Sequence, residues 1–170
     1  MISVREAIEE DAELIANYWI NASKEYLRGM GADKSLLPNK SDFINMLKNQ
    51  FSLPIEEKRS YCLIWELEGE AIGHSNTNPT TFGKDAYMHL HIWNERNRRK
   101  GLGKEYMELT IPLFFKNLQL EDLYVQPMSS NPAPNLLLQS LGFELVKTYI
   151  TTPGSINFEQ EVNLWRKTKA

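Results

Sequence analysis

The stretch from residue 85 to residue 126 constrains the fold more than any other. DAYMHLHIW alternates apolar and polar residues as a strand does, and GLGKEYMELTIPLFFKNL has helical spacing. EDLYVQP then reads as a second strand. A strand, a helix and a strand in this order predict a right-handed parallel crossover, which commits the chain to a sheet with helices packed on it. Leu102, Tyr106, Leu109, Leu113 and Phe114 are the expected inward stripe of the helix. Between the first strand and the helix lies NERNRRKGLGK, a basic turn carrying two glycines.

The flanking segments extend the pattern on both sides. ISVREAI alternates like a half-buried strand, and EEDAELIANYWINASKEYL carries Leu14, Ile15, Tyr18 and Trp19 at helical spacing. RGMGADKSLLPNK reads as an irregular connection, and SDFINMLKNQF as a short helix capped by Ser41 or Asp42. RSYCLIWEL, EGE and AIGHSNTN predict a hairpin, to which DAYMHLHIW adds a third strand. NPAPNLLLQSLGF reads as a helix capped by Ser130 or Asn131, with Pro132 near its first position and Gly142 as its stop. FELVKTYITT, PGS and INFEQEVNLWRK predict a closing hairpin. The expected order is β-α-α-β-β-β-α-β-α-β-β, a mixed α/β fold.

The 170 residues suit one domain, expected to span 1–170, and 42% hydrophobic with 24% charged residues is ordinary for a globular protein. The formal net charge of −3 argues against a general nucleic-acid-coating surface, so the local basic cluster reads as a site. The one cysteine, Cys62 within YCLIW, reads as a buried thiol in a reducing compartment. MISVREAIEEDAE has no basic start or apolar core of a signal peptide, and no apolar run approaches membrane-spanning length. A cytoplasmic location without membrane association is expected.

The first turn of a helix leaves N–H groups without partners, and the helix dipole adds positive potential there. Glycines at 101 and 103 keep side chains away from those amides, so an anion can approach them, with Arg98, Arg99, Lys100 and Lys104 around it. A Walker A loop is excluded, because Lys104 is followed by Glu105 and the glycine spacing fails. A dinucleotide fingerprint is excluded because Tyr106 stands where its third glycine belongs. What fits is Arg-x-x-Gly-x-Gly, as Arg98-Arg99-Lys100-Gly101-Leu102-Gly103. This resembles the pyrophosphate loop of the GNAT N-acetyltransferase superfamily. Asn131-Pro-Ala-Pro-Asn-Leu-Leu-Leu-Gln-Ser-Leu-Gly142-Phe143 resembles the family's second signature, and its Asn-x-Ala-Pro start is similar to the RimJ/RimL-type branch. The strand order resembles the family's as well.

The resemblance implies a GNAT-like mixed sheet with helices on both faces, and acetyl-CoA as co-substrate without a metal. It implies that the pyrophosphate sits on the amides around Arg99, Lys100, Gly101, Leu102, Gly103 and Lys104. The pantetheine arm would run between splayed strands ending at Trp93 and Val125, with Asn131 touching it. An amide near Ile92 and Trp93 would stabilise the oxyanion. The acceptor would be a primary amine, on a small molecule or a peptide, attacking directly in a ternary complex. A homodimer is compatible with the resemblance, and nucleic-acid or membrane partners are not expected.

Amine acetylation needs a base, and alternation puts Tyr87, His89, His91 and Trp93 on one strand face. His89 and His91 are the candidates, the alternative being partly buried, hydrogen-bonded histidines with no chemical role. A zinc pair is disfavoured, because the only other histidine is His74. Glu95 is a reserve base, although a salt bridge with neighbouring arginines is the simpler expectation. The family's tyrosine acid is replaced by Leu138, which leaves Ser129, Ser130 or Tyr124, or unaided departure of the thiolate. Tyr18, Trp19, Tyr26, Met30 and Asp33 are candidates for the acceptor side, with core packing the plainer reading of Tyr18 and Trp19. The rival function is a non-catalytic acyl-CoA-binding or regulatory module on the same fold.

Overall fold

The computed structural model describes residues 1–170. Seven strands form one mixed sheet in the order β1-β2-β3-β4-β5-β7-β6. They are β1 (Ile2–Glu6), β2 (Tyr61–Leu67), β3 (Glu70–Thr81), β4 (Asp85–Ile92), β5 (Asp122–Val125), β6 (Glu144–Thr151) and β7 (Gln160–Thr168). The helices are α1 (Asp11–Asn21), α2 (Lys24–Gly29), α3 (Lys40–Ser52), α4 (Leu102–Leu118) and α5 (Pro132–Ser140). The mixed α/β architecture matches the expected one, with β4, α4 and β5 forming the parallel crossover.

Two apolar clusters fill the two sides of the sheet. On one, α4 lays Tyr106, Met107, Ile111, Phe114 and Leu118 over Leu63, Trp65, Met88 and Leu123, and Leu138 of α5 joins them. Trp65 and Tyr106 stack there with ring centroids 4.8 Å apart. On the other, Ile15, Tyr18 and Trp19 of α1 and Leu27 of α2 meet Cys62 and Ile64, with Phe43, Leu47 and Phe51 of α3 beside them. Each side removes several large side chains from water at about 1.5–3 kcal/mol apiece. The period-two reading of β4 holds: Met88, Leu90 and Ile92 pack under α4, and Trp93 belongs to the opposite cluster.

Three local readings are corrected. The helix expected to run through Tyr18 and Leu27 breaks at Ala22, which is extended, and Ser23 restarts it by accepting a hydrogen bond from the Tyr26 amide. That cap, worth about 1 kcal/mol, competes with helix continuation at a residue that prefers helix starts. The cap of α3 lies a few residues before Ser41 or Asp42, at Asn39, whose Oδ1 accepts from the Asp42 backbone N–H while its side-chain Nδ2 donates to the Asp42 carboxylate. Leu109 of α4 is 42% exposed; the buried stripe passes instead through Tyr106, Met107, Thr110, Ile111, Phe114 and Leu118. Thr110 is tolerated inside because its hydroxyl accepts from the Trp65 indole at 2.9 Å.

The feature that shapes the site is where β4 and β5 part. Their parallel pairing runs only from Asp85 and Asp122 to Tyr87 and Tyr124. The last pair is marked by stacked Tyr87 and Tyr124 rings, 5.2 Å apart. Beyond it, the chain after β5 stays bonded to β7: Asn163 N–H donates to the Pro127 carbonyl, Ser129 N–H to that of Glu161, and Met128 bridges Val162. β4 instead stays with β3 to its end, where Trp93 N–H donates to the Ile72 carbonyl at 2.9 Å. A side chain at Gly73 would collide with the His91 carbonyl, so glycine there lets β3 hold the end of β4 closely. The two central strands therefore open into a wedge.

Candidate active site

The wedge has a polar edge. Antiparallel residues alternate between facing their partner and facing away. Trp93 N–H is engaged by Ile72, so the Ile92 N–H between Trp93 and His91 points the other way, into the gap that β5 has left. The Ile92 carbonyl on that edge accepts from Arg98 Nε at 2.9 Å.

The mouth of the wedge is the basic glycine turn. Arg99 and Gly101 have positive φ, 59° and 75°, and Gly101 is the residue from which α4 starts. No side chain caps that start, so the first amides of α4, from Leu102, Gly103 and Lys104, keep their anion-binding capacity. A Cβ on Gly101 would meet nothing within 4 Å, and one on Gly103 only Leu137 Cδ2 at 3.9 Å. Gly101 is thus required by its left-handed backbone, while Gly103 marks where α5 passes the first turn of α4. Arg99, Lys100 and Lys104 are exposed, and no carboxylate lies within ion-pair distance of them.

Arg98, grouped with them from sequence, is engaged differently. Besides the Ile92 carbonyl it donates from Nη2 to that of Trp93 at 3.2 Å, and its guanidinium lies 4.2 Å from the centre of the Tyr26 ring. It buttresses the end of β4 against α2. Asn131 stands at the N-cap of α5, where its side chain makes no capping bond; its carbonyl accepts from Asn135 Nδ2 at 2.7 Å.

On the far side of β4, a cluster forms that sequence spacing did not reveal. His91 Nδ1 lies 3.0 Å from the Tyr18 hydroxyl, which also lies 3.0 Å from that of Tyr26. Trp19 meets the His91 ring edge-on at 4.8 Å, and His74 stacks on it at 5.1 Å. The Trp93 indole N–H donates to His74 Nδ1 at 2.8 Å. Burial pushes His74 down to about 3. Burial, with positive charge disfavoured further by His74, His89 and Arg98, holds His91 well below the ordinary histidine range. Burial raises Tyr18, which keeps its hydroxyl proton. His89 is exposed, and its Nε2 pairs with the Asn78 carbonyl at 2.9 Å.

Beside this cluster lies an open groove of about 520 Å³, walled by Asn17, Tyr18, Tyr26, Trp93, Glu95 and Arg98 among others. Leu14, expected inward, is exposed on its rim. The Glu95 carboxylate forms no ion pair with the nearby arginines, contrary to the sequence expectation. Trp19 and Tyr18 are core residues, as the plainer reading had it, and Tyr18 reaches the groove as well. Met30 Sδ sits 4.0 Å from the Tyr18 hydroxyl, and the Asp33 carboxylate is occupied in accepting from Ser35. Leu138 is buried, Ser129 Oγ donates to Glu161, and Tyr124 is committed to the Tyr87 stack. No group of three or more His, Cys, Asp or Glu side chains is arranged to hold a metal ion. No helix is long and apolar enough to cross a membrane.

The acetyltransferase (GNAT) domain profile matches residues 2–144, and the chain therefore belongs to the GNAT acetyltransferase family. No curated protein sequence matches it significantly. Among solved structures it resembles RimL, the ribosomal L7/L12 alpha-N-protein acetyltransferase in complex with coenzyme A, with TM-score 0.80 and 13% identity over 98% of this chain and 93% of that one. It also resembles the aminoglycoside acetyltransferase AAC(6')-Ib with coenzyme A, with TM-score 0.75 and 17% identity over 99% and 95% of the two chains. A third is spermidine N-acetyltransferase from Vibrio cholerae with CoA and spermine, with TM-score 0.76 and 17% identity over 98% and 95%. At such identities the likeness is one of fold, and these proteins differ widely in their acceptors.

Proposed function

We propose that this protein moves the acetyl group of acetyl-CoA to a primary amine by direct attack in a ternary complex. The observation that carries the reading is the wedge between β4 and β5, with the uncapped, glycine-started end of α4 at its mouth. A diphosphate suits the amides of Leu102, Gly103 and Lys104, with exposed Arg99, Lys100 and Lys104 as countercharges. Arg98 serves the same site indirectly by holding the carbonyls at the end of β4. The pantetheine amides pair with the free edge of β4 as an added strand would, and Asn131 offers its uncommitted side-chain amide from the start of α5. The Ile92 N–H is the donor for the oxyanion that forms on the thioester carbonyl, because the Trp93 amide is already engaged.

Of the two histidines, His91 is the base of this mechanism. It is neutral throughout the physiological range and joined to the groove by Tyr18, whereas His89 Nε2 is spent on Asn78. Glu95 in the groove wall supplies a carboxylate to hold the incoming ammonium. With Leu138 in place of a hydroxyl acid, the thiolate leaves unaided and takes its proton from solvent; a thiol is acidic enough for that. The same leucine favours the second reading, a CoA-binding module without turnover.

Acetyl-CoA and CoA should both raise the melting temperature, and ATP, which shares the phosphates but lacks the pantetheine arm, should raise it much less. At about a hundred times Kd a ligand adds about 2.7 kcal/mol. A melting temperature unmoved by acetyl-CoA would remove both CoA readings.

A further inference from the structure

The base identified above does not itself line the groove. His91 stands one layer behind the wall, and the hydroxyl in front of it is that of Tyr18. An amine in the groove therefore meets Tyr18 and Tyr26 before it can meet the imidazole. The hydroxyls of these two tyrosines and the Nδ1 of His91 form one chain, with both steps 3.0 Å long.

What each group can offer restricts the chain to two polarities, set by which nitrogen of His91 carries the proton. A tyrosine hydroxyl has one proton to donate and lone pairs to accept with, and a neutral imidazole has one nitrogen of each kind. His74, stacked on His91, has its Nδ1 filled by the Trp93 indole N–H, so its own proton is on Nε2. The titratable and charged groups facing His91 are Tyr18 on α1, His74 on β3, His89 on β4 and Arg98 beyond β4, with Tyr26 on α2 one bond further. None is a carboxylate, so nothing in contact stabilises a resting imidazolium. In the arrangement with the His91 proton on Nε2, Nδ1 accepts from Tyr18, and the Tyr18 oxygen accepts from Tyr26 and keeps its second lone pair for a donor in the groove.

We infer that the Tyr18 hydroxyl carries the acceptor's proton from the groove to His91 Nδ1, an inference that rests on the acetyl-transfer reading above. The ammonium loses one proton to solvent as it settles in the groove, so the free amine attacks. As its nitrogen bonds to the thioester carbonyl carbon, the remaining N–H becomes acidic and that proton passes to Tyr18 Oη. The proton of Tyr18 passes at the same time to His91 Nδ1, so the tyrosine ends as it began and the imidazole becomes imidazolium. Collapse of the tetrahedral adduct breaks the C–S bond and releases the thiolate. The imidazolium returns its proton through Tyr18 to solvent once the amide has left. Burial suits this role, because a tyrosine that does not ionise is a conduit and not a store of charge.

Two measurements test the relay. Nitrogen NMR of histidine in the ligand-free protein at neutral pH, assigned with His91→Gln, should show His91 protonated on Nε2 and bare on Nδ1; a proton on Nδ1 overturns the inference. Tyr18→Phe should keep the acetyl-CoA-induced rise in melting temperature and the KM for acetyl-CoA, and lose about a hundredfold in kcat. The loss should shrink across a series of less basic amines, whose N–H acidifies enough in the adduct to do without the relay. An undiminished kcat, or a loss that ignores amine basicity, overturns it. A wild-type protein that turns over no amine would instead sink the acetyl-transfer reading, and the nitrogen spectrum would still decide the direction of the Tyr18–His91 bond.

Discussion

His91→Ala should lower kcat for acetyl transfer by roughly a hundred- to ten-thousandfold, the range for removing a general base, with KM for acetyl-CoA near its wild-type value. The split follows from the architecture. The proposed place of the co-substrate is the wedge and the start of α4, while the His91 ring lies on the opposite face of β4, among Tyr18, Trp19 and His74. His89→Ala should cost far less, because the exposed His89 ring binds only the Asn78 carbonyl. The pH profile carries the same signature. Neighbours and burial disfavour the charged form of His91, so protonation that disables the base sets in only well below pH 6.5. Wild-type kcat should therefore be flat through neutrality and fall only in clearly acidic buffer. Equal rates for His91→Ala and the wild type would move the base elsewhere, Glu95 being the remaining groove-lining group that can accept a proton.

How much of this was legible in the sequence depends on how local the cause is. The two faces of β4 were readable because period-two alternation is a property of the strand alone, and Met88 and His91 fall on the sides that it assigned. The turn at Gly101 was readable as a glycine-opened helix start because its motif is local, whereas the positive φ that requires glycine there came only with the structure. Leu109 misled because the helical stripe admits either Leu109 or Thr110, and the choice was made by Trp65, far away in sequence. The Tyr18–His91 contact links residues on α1 and β4, and nothing near either announces the other. The wedge was expected from the family resemblance, but its physical cause, residues 127–129 following β7 instead of β4, depends on long-range pairing. Arg98 shows the limit of reading charge alone: it sits in the basic cluster and yet spends its guanidinium on two carbonyls and a tyrosine ring.

Gly101→Val is the second large effect. Gly101 has φ 75°, a conformation that costs an ordinary L-residue about 1–2 kcal/mol and a β-branched one more. Nothing in the protein crowds the position, so the chain escapes the strain by changing the turn, and the amides of Leu102, Gly103 and Lys104 lose their common aim. If the binding-competent turn is depopulated by that energy, affinity for acetyl-CoA falls by about tenfold or more. Gly101→Asn should lose least, since asparagine tolerates the left-handed region best among non-glycine residues. A Kd series ordered Gly, Asn, Ala, Val from tightest to weakest is expected. A valine variant that binds acetyl-CoA as tightly as the wild type would show that the turn is not the phosphate cradle.

The central claim is that an amine takes the acetyl group from acetyl-CoA on this chain. The direct measurement incubates the protein with acetyl-CoA and a panel of primary amines that includes peptide N-termini, polyamines and aminoglycosides, and follows free CoA thiol and acetylated amine together. The account predicts that at least one amine yields both products in equal amounts, and that His91→Ala abolishes nearly all of each. Tight acetyl-CoA binding with no thiol released by any amine, or thiol released without acetylated amine, would contradict it.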